Sequence, residues 1–232
     1  MPFPELAERV AEVRGRIAEA AKRGGHGTAV RLVAVTKTHS SDAVRAVAAA
    51  GIEDVGENRV QEATRKQDEL RAAGGEPAGL CWHLIGHLQS NKAKALPRFA
   101  YFHALDGPKL ADAANAVAAE AGVAFDVLVQ VNVSLEETKG GYSLGELPRE
   151  AARLIGLKGL RVRGVMTMAP LDADERALRL VFAGARAALA VVRGAGHDAT
   201  ELSMGMSGDY EVAVEEGATM VRLGTILFGT RS

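Results

Sequence analysis

From Arg31 to Leu223 the chain repeats one alternation eight times: a short apolar run, a polar turn, then a stretch with helical spacing. The runs are Leu32–Thr36, Ile52–Gly56, Cys81–Ile85, Ala100–Ala104, Phe125–Val131, Leu160–Met166, Glu201–Met204 and Met220–Leu223. They are too short for helices, and most lack the in–out alternation of a half-exposed strand, so they read as strands covered on both faces. The stretches between them read as helices at Asp42–Ala50, Arg59–Ala73, Asn91–Leu96, Pro108–Ala121, Leu147–Leu154, Glu175–Arg193 and Asp209–Glu216. Eight strand–helix units without a Pro/Ser-rich linker predict one α/β domain over residues 1–232, a (β/α)8 TIM barrel. An open doubly wound sheet is the runner-up, but no G-x-G-x-x-G follows the first strand. Ahead of the repeat, Leu6, Val10, Val13 and Ile17 keep helical spacing, so an extra N-terminal helix over Pro4–Arg23 is expected to cover the bottom or side of the barrel.

Bulk properties narrow the function. A net charge of -1 gives no electrostatic case for nucleic acid or an anionic membrane. No apolar run reaches membrane-spanning length, and the N-terminus lacks the pattern of a signal peptide. The single cysteine, Cys81, expected to lie buried in the third strand, allows no internal disulfide. Together these point to a cytoplasmic protein.

In a barrel the carboxyl ends of all strands converge on one face, where this fold keeps its chemistry. Lys37 ends the first strand and is placed to act as a nucleophile toward an aldehyde. Ser203–Asp209 sets small and hydroxyl residues, Ser207 among them, directly before a helix, and Gly224-Thr225 offers a close backbone approach with another hydroxyl. Loops after strands seven and eight are the usual phosphate site of this fold. A ligand with one phosphate and one aldehyde is pyridoxal 5'-phosphate, whose covalent partner is lysine. Arg222 is then placed to donate to the pyridine nitrogen, or else to pair with a barrel carboxylate such as Glu57.

At this point the chain resembles the pyridoxal phosphate homeostasis proteins, the YggS/PROSC family. The resemblance rests on Val35-Thr-Lys37, Gly56-Glu-Asn58, Trp82-His-Leu-Ile-Gly86 with Leu88-Gln-Ser-Asn-Lys92, Gly164-Val-Met-Thr-Met168, Ser203-Met-Gly-Met-Ser207-Gly-Asp209 and Arg222-Leu-Gly-Thr-Ile-Leu-Phe-Gly229. It implies a fold-type III barrel like the N-terminal domain of alanine racemase, with the cofactor held as an aldimine on Lys37. It also implies phosphate contacts from Ser207, Gly224 and Thr225, and Arg222 near the pyridine nitrogen. Asn58 and His83 match positions beside the cofactor, Met166 is expected to abut the ring, and Ser203 is counted among the binding residues. Lys139, after Glu137, matches a lysine-bearing loop near the ring.

The implied role is cofactor binding and homeostasis, with apo-enzymes that need the cofactor as possible recipients, no assigned catalytic residue, and a monomer. The alternative is a slow amino-acid racemase or lyase. Racemases of this fold type use a tyrosine from a second domain, and here only Tyr142 stands on a loop that would reach a substrate, although a surface role suits it better. A metal-dependent hydrolase using His39, His83, His87 and His103 is a third reading. His83 and His87 are spaced for a helix but sit in a strand and a turn, which removes the geometry.

Overall fold

A computed structural model describes residues 3–27, 29–134, 136 and 139–229. Eight parallel strands close on themselves in sequence order: β1 (Arg31–Val35), β2 (Asp54–Glu57), β3 (Cys81–Leu84), β4 (Tyr101–Leu105), β5 (Phe125–Gln130), β6 (Leu160–Met166), β7 (Glu201–Ser203) and β8 (Met220–Leu223). Each observed strand overlaps its expected run, with ends moved by no more than a residue or two. Closure is made by β8 against β1, where Val33 pairs with Arg222 and Ala34 with Leu223.

The helices α1 (Leu6–Gly24), α2 (Ser41–Ala49), α3 (Val60–Ala72), α4 (Pro108–Ala121), α5 (Leu147–Leu154), α6 (Glu175–Gly194), α7 (Tyr210–Glu215) and α8 (Thr225–Phe228) surround the barrel. Their apolar faces build the core. In α6, Val181, Phe182, Ala185, Ala188 and Val192 recur at three- and four-residue steps and are all buried. The leading helix takes the side position: Leu6, Val10, Val13, Ile17 and Ala20 are buried, and α1 packs against α7 and α8.

Two elements differ from expectation. The segment after β3 is a 3₁₀ helix, Ser90–Arg98, with Pro97 inside it. The missing proline N–H removes a donor that an α-helical ladder would need there. The last element, α8, lies beyond the last expected helix, because its four residues are too few to show a helical period. Cys81 opens β3 half-buried rather than buried, and Trp82 beside it is buried in the core, its ring N–H donating to Glu76 at 3.0 Å.

One glycine is fixed by close packing. A Cβ on Gly164, in β6, would stand 1.8 Å from the Glu201 carbonyl oxygen of β7. Gly164→Ala should therefore separate two barrel strands and leave little folded protein, seen as loss of a cooperative thermal transition. Gly15 lies on the exposed face of α1 with open space around its Cβ position. Gly15→Ala should instead stabilise the fold by about 0.5–1 kcal/mol, read as a raised Tm.

Candidate functional site

A cavity of about 1150 Å³ opens at the carboxyl ends of the strands. Six of the expected residues line it: Lys37, Asn58, Ser207, Arg222, Gly224 and Thr225. His83, Met166 and Ser203 do not. All three are fully buried in the barrel wall and interior, beneath that cavity.

Lys37 follows β1 and is half-buried. Its chain neighbours are held by a charge cluster beneath it. The Lys66 ammonium of α3 is wholly buried and donates to Glu57 Oε1 at 2.6 Å, to Glu62 Oε1 at 3.0 Å and to the Thr36 carbonyl at 2.7 Å. The Thr36 hydroxyl donates to the same Glu57 oxygen, and the Thr38 N–H donates to Glu62. Thr38 has φ of 69°, a left-handed conformation that is strained for a residue with a Cβ. The bond from its N–H to Glu62 helps hold that turn. Burial raises the Glu57 carboxyl above its usual range despite Lys66, whereas the bonds to Glu62 more than offset its burial and pull it down.

Across the β8–β1 seam lie the two loops expected to hold a phosphate. The backbone N–H groups of Gly224 and Ile226 both point at Ser207 Oγ, each at 3.3 Å. These are long bonds, so two donors converge on one oxygen without being well satisfied by it. Gly205 has a φ of 95°, and a Cβ there would stand 2.7 Å from the Ala213 Cβ. Asp209 accepts from the Met206 N–H at 2.5 Å, and burial raises its carboxyl.

Arg222 rises from β8 between these features. Its guanidinium donates to Ser203 Oγ at 2.6 Å and to the Thr167 carbonyl at 2.8 Å. Burial pushes its pKa down to about 10, with partial relief from the charge of Asp209. The alternative pairing with Glu57 does not occur, because Glu57 belongs to Lys66.

Further residues stand at the rim, Lys139 among them. His87 Nδ1 and Asp106 Oδ2 are 2.6 Å apart at the cavity edge. Gln130 and Lys139 also line it, Lys139 paired with Glu136 at 2.5 Å; Glu137 and Thr138 lie outside the described residues. Tyr142 is not at the surface. It is buried, its hydroxyl donates to Glu150 at 2.8 Å, and burial together with that bond pushes its pKa far up. Neither Tyr101 nor Tyr210 lines the cavity. Of the histidines proposed as metal ligands, His83 and His103 bond each other, and no metal-holding group of three His, Cys, Asp or Glu occurs among the described residues.

A strand-end lysine facing a phosphate-type loop pair on a closed parallel barrel defines a class, and comparison with known proteins finds it. The family model described as "Alanine racemase, N-terminal domain" matches residues 10–232. The pyridoxal phosphate homeostasis protein of Pseudomonas aeruginosa is 42% identical over 228 residues, covering 97% of this chain and 96% of the relative. That of Deinococcus radiodurans is 44% identical over 216 residues, covering 92% and 95%. PipY of Synechococcus elongatus, solved with pyridoxal phosphate bound, superposes with a TM-score of 0.84 at 38% identity, covering 97% of this chain and all of PipY. Alanine racemase from Corynebacterium glutamicum, at 19% identity and a TM-score of 0.72, shares the fold. The chain belongs to the pyridoxal phosphate homeostasis protein family.

The Lys66 cluster generates a stability prediction. Lys66→Met leaves Glu57 buried without its cation, so the fold should lose about 3–5 kcal/mol by chemical denaturation. Glu57→Gln placed on top should recover part of that loss. A second prediction concerns His103, whose pKa burial pushes well below 6.5, with repulsion from His83 and Arg222 adding to it. The unfolded chain then takes up the proton first, so stability should fall as the pH drops below about 6.5. That slope should flatten in His103→Gln.

Proposed function

We propose that this protein binds pyridoxal 5'-phosphate in the cavity at the carboxyl ends of the strands, joined to Lys37, and holds and releases it in intracellular homeostasis of the cofactor. The observation that carries this reading is the convergence of the Gly224 and Ile226 N–H groups on Ser207 Oγ, on the same cavity as Lys37. Under-satisfied backbone donors beside a hydroxyl suit a phosphate's acceptor oxygens. The bound form of PipY and the names of the relatives support the same reading.

When bound, the group supplies an aldehyde for the lysine amine and an electron-withdrawing pyridine ring. Lys37 would hold the group covalently, through its side-chain amine at the aldehyde carbon. Ser207, Gly224, Thr225 and the Ile226 N–H hold the phosphate. Arg222, which only donates, would face the ring nitrogen and favour its unprotonated form. Asn58, just past the end of β2 on the same cavity, would lie beside the ring. Recipients of the released cofactor are apo-enzymes that require it.

Slow amino-acid turnover is a second reading, favoured by one observation. The His87–Asp106 pair stands on the cavity rim, where an oriented imidazole could exchange a proton with a bound amino acid. Loss of the α-hydrogen of alanine to D2O, abolished by His87→Gln, would support it.

The carrier reading is tested by incubating the protein with the cofactor, reducing with borohydride and mapping the adduct. Wild type should show a visible absorbance band and a cofactor mass on Lys37. Lys37→Ala should lose both, and Ser207→Ala should weaken binding about tenfold. A wild-type protein that takes up no cofactor, or an adduct on another lysine alone, would overturn the assignment.

A further inference from the structure

The interior of a (β/α)8 barrel is ordinarily filled by layers of branched apolar side chains. Here a line of polar groups crosses it. Arg222 Nη1 donates to Ser203 Oγ at 2.6 Å, Ser203 Oγ lies 3.0 Å from His103 Nδ1, His103 Nε2 lies 2.8 Å from His83 Nδ1, and His83 Nε2 lies 2.8 Å from Asp54 Oδ1. Ser203, His103 and His83 are completely buried, and Arg222 nearly so. The line begins at β8 at the cavity, crosses through β7 to β4 and β3 on the opposite wall, and ends at the first residue of β2. Asp54 is half-buried and lines a separate cavity of about 580 Å³ at the amino-terminal face.

One proton arrangement satisfies every bond in the line with neutral rings. A guanidinium can only donate and a carboxylate can only accept. In this arrangement His83 carries its proton on Nε2, toward Asp54, leaving Nδ1 as acceptor. His103 likewise carries its proton on Nε2 and accepts from the Ser203 hydroxyl at Nδ1, where burial disfavours a charged ring. The Ser203 oxygen is left to accept from Arg222. His83 is further locked by a parallel stack on Tyr101, with ring centroids 5.2 Å apart. Arg222 has no carboxylate bonded to it among the described residues, so Asp54 is the anion to which its hydrogen bonds lead.

We propose that Asp54, His83, His103 and Ser203 form a positioning relay that holds Arg222 as a fixed, protonated donor toward the cofactor's ring nitrogen. The inference rests on the cofactor reading above. A chain of hydrogen bonds pointing one way polarises its members, so each donor makes the next oxygen or nitrogen a better acceptor. Ser203 Oγ, electron-enriched by a line ending in a carboxylate, binds the Arg222 cation more strongly than an isolated serine would. The four residues touch no ligand; they act through Arg222. His83 and Ser203, expected beside the cofactor, take this role instead.

The first test uses the protein without cofactor. Nitrogen NMR of 15N-histidine-labelled protein should show two imidazoles neutral with Nε2 protonated and Nδ1 bare, assigned by loss of one signal set in His83→Gln and the other in His103→Gln. The opposite tautomer at either ring would overturn the relay. The second test adds pyridoxal 5'-phosphate labelled with 15N in the ring. In Ser203→Ala, His103→Gln and Asp54→Asn, the ring resonance should move toward that of unbonded pyridine. Affinity for the cofactor should fall about tenfold in Ser203→Ala, and less in Asp54→Asn, which keeps an acceptor oxygen. Asp54→Asn is the variant least disturbing to the core, since Asp54 sits at the edge of the barrel. Variants that fold, melt lower, and leave both the ring resonance and the affinity unchanged would reduce the line to a packing element and sink the proposal. A wild-type protein with the expected tautomers that binds no cofactor would mark failure of the functional reading, and the relay's role toward Arg222 would fall with it.

Discussion

The β8–β1 seam is the contact on which the site depends. Lys37 and Arg222 are separated by most of the chain, and neither does anything useful without the other. Parallel pairing of Val33 with Arg222 and Ala34 with Leu223 sets their strands side by side in one register. Both chains then leave the barrel at the same face. The lysine exits on one side of the seam and the Gly224 turn on the other, with the Gly224 Cβ position only 3.4 Å from the Val35 carbonyl. A slip of one residue would turn Arg222 from the barrel interior to the helix layer, because side chains alternate between faces.

Closing the barrel also sets the terms for its interior. Arg222, His103, His83 and Ser203 occupy space that apolar residues would fill at no desolvation cost. Such groups persist in a stable fold only when their hydrogen bonds are made. The line to Asp54 meets that condition for four side chains at once. The Lys66 cluster meets it on the other side of β1, with one exception: Glu57 Oε2 has no partner among the described residues. Both networks bear on the site: one fixes the backbone on either side of Lys37, the other fixes the head group of Arg222. The apolar core outside the barrel, built from the helix faces, supplies the stability that lets the interior be polar.

What could be read in advance follows from the range of the forces involved. Strand positions were legible because burial on both faces leaves unbroken apolar runs such as Leu32–Val35 and Val127–Val129. Lys37, Asn58, Ser207, Arg222, Gly224 and Thr225 were legible because a topological rule, strand ends meeting at one face, turns sequence position into place. Ser203 and His83 were set beside the cofactor because their motifs end there, yet a motif does not say how deep each side chain points. Ser203 stands four residues before Ser207, far enough along the chain to lie in the barrel rather than on its rim. Lys66 gave no local signal: a lysine in the middle of a charged helix reads as solvated, and only tertiary packing places it over Glu57.

The same geometry bears on whether the protein holds its cofactor or uses it. Turnover on such a cofactor gains from a closed, dry site with an acid or base on each face of the substrate. Lys37 would serve one face. The tyrosine best placed by sequence, Tyr142, is withdrawn into a bond with Glu150, and His87, held by Asp106, is an exposed side chain on the rim. Beyond it the mouth is bordered by the loop after β6, where Leu171 is 93% exposed. Water reaches such a rim freely, and water weakens every charge interaction that would favour a carbanion. The buried networks, the Lys66 cluster and the Asp54 line, brace the residues that would hold the cofactor, whereas His87 on the rim is exposed. On the carrier reading proposed above, an architecture braced toward the ligand and open toward solvent would favour exchange of the cofactor over chemistry upon it.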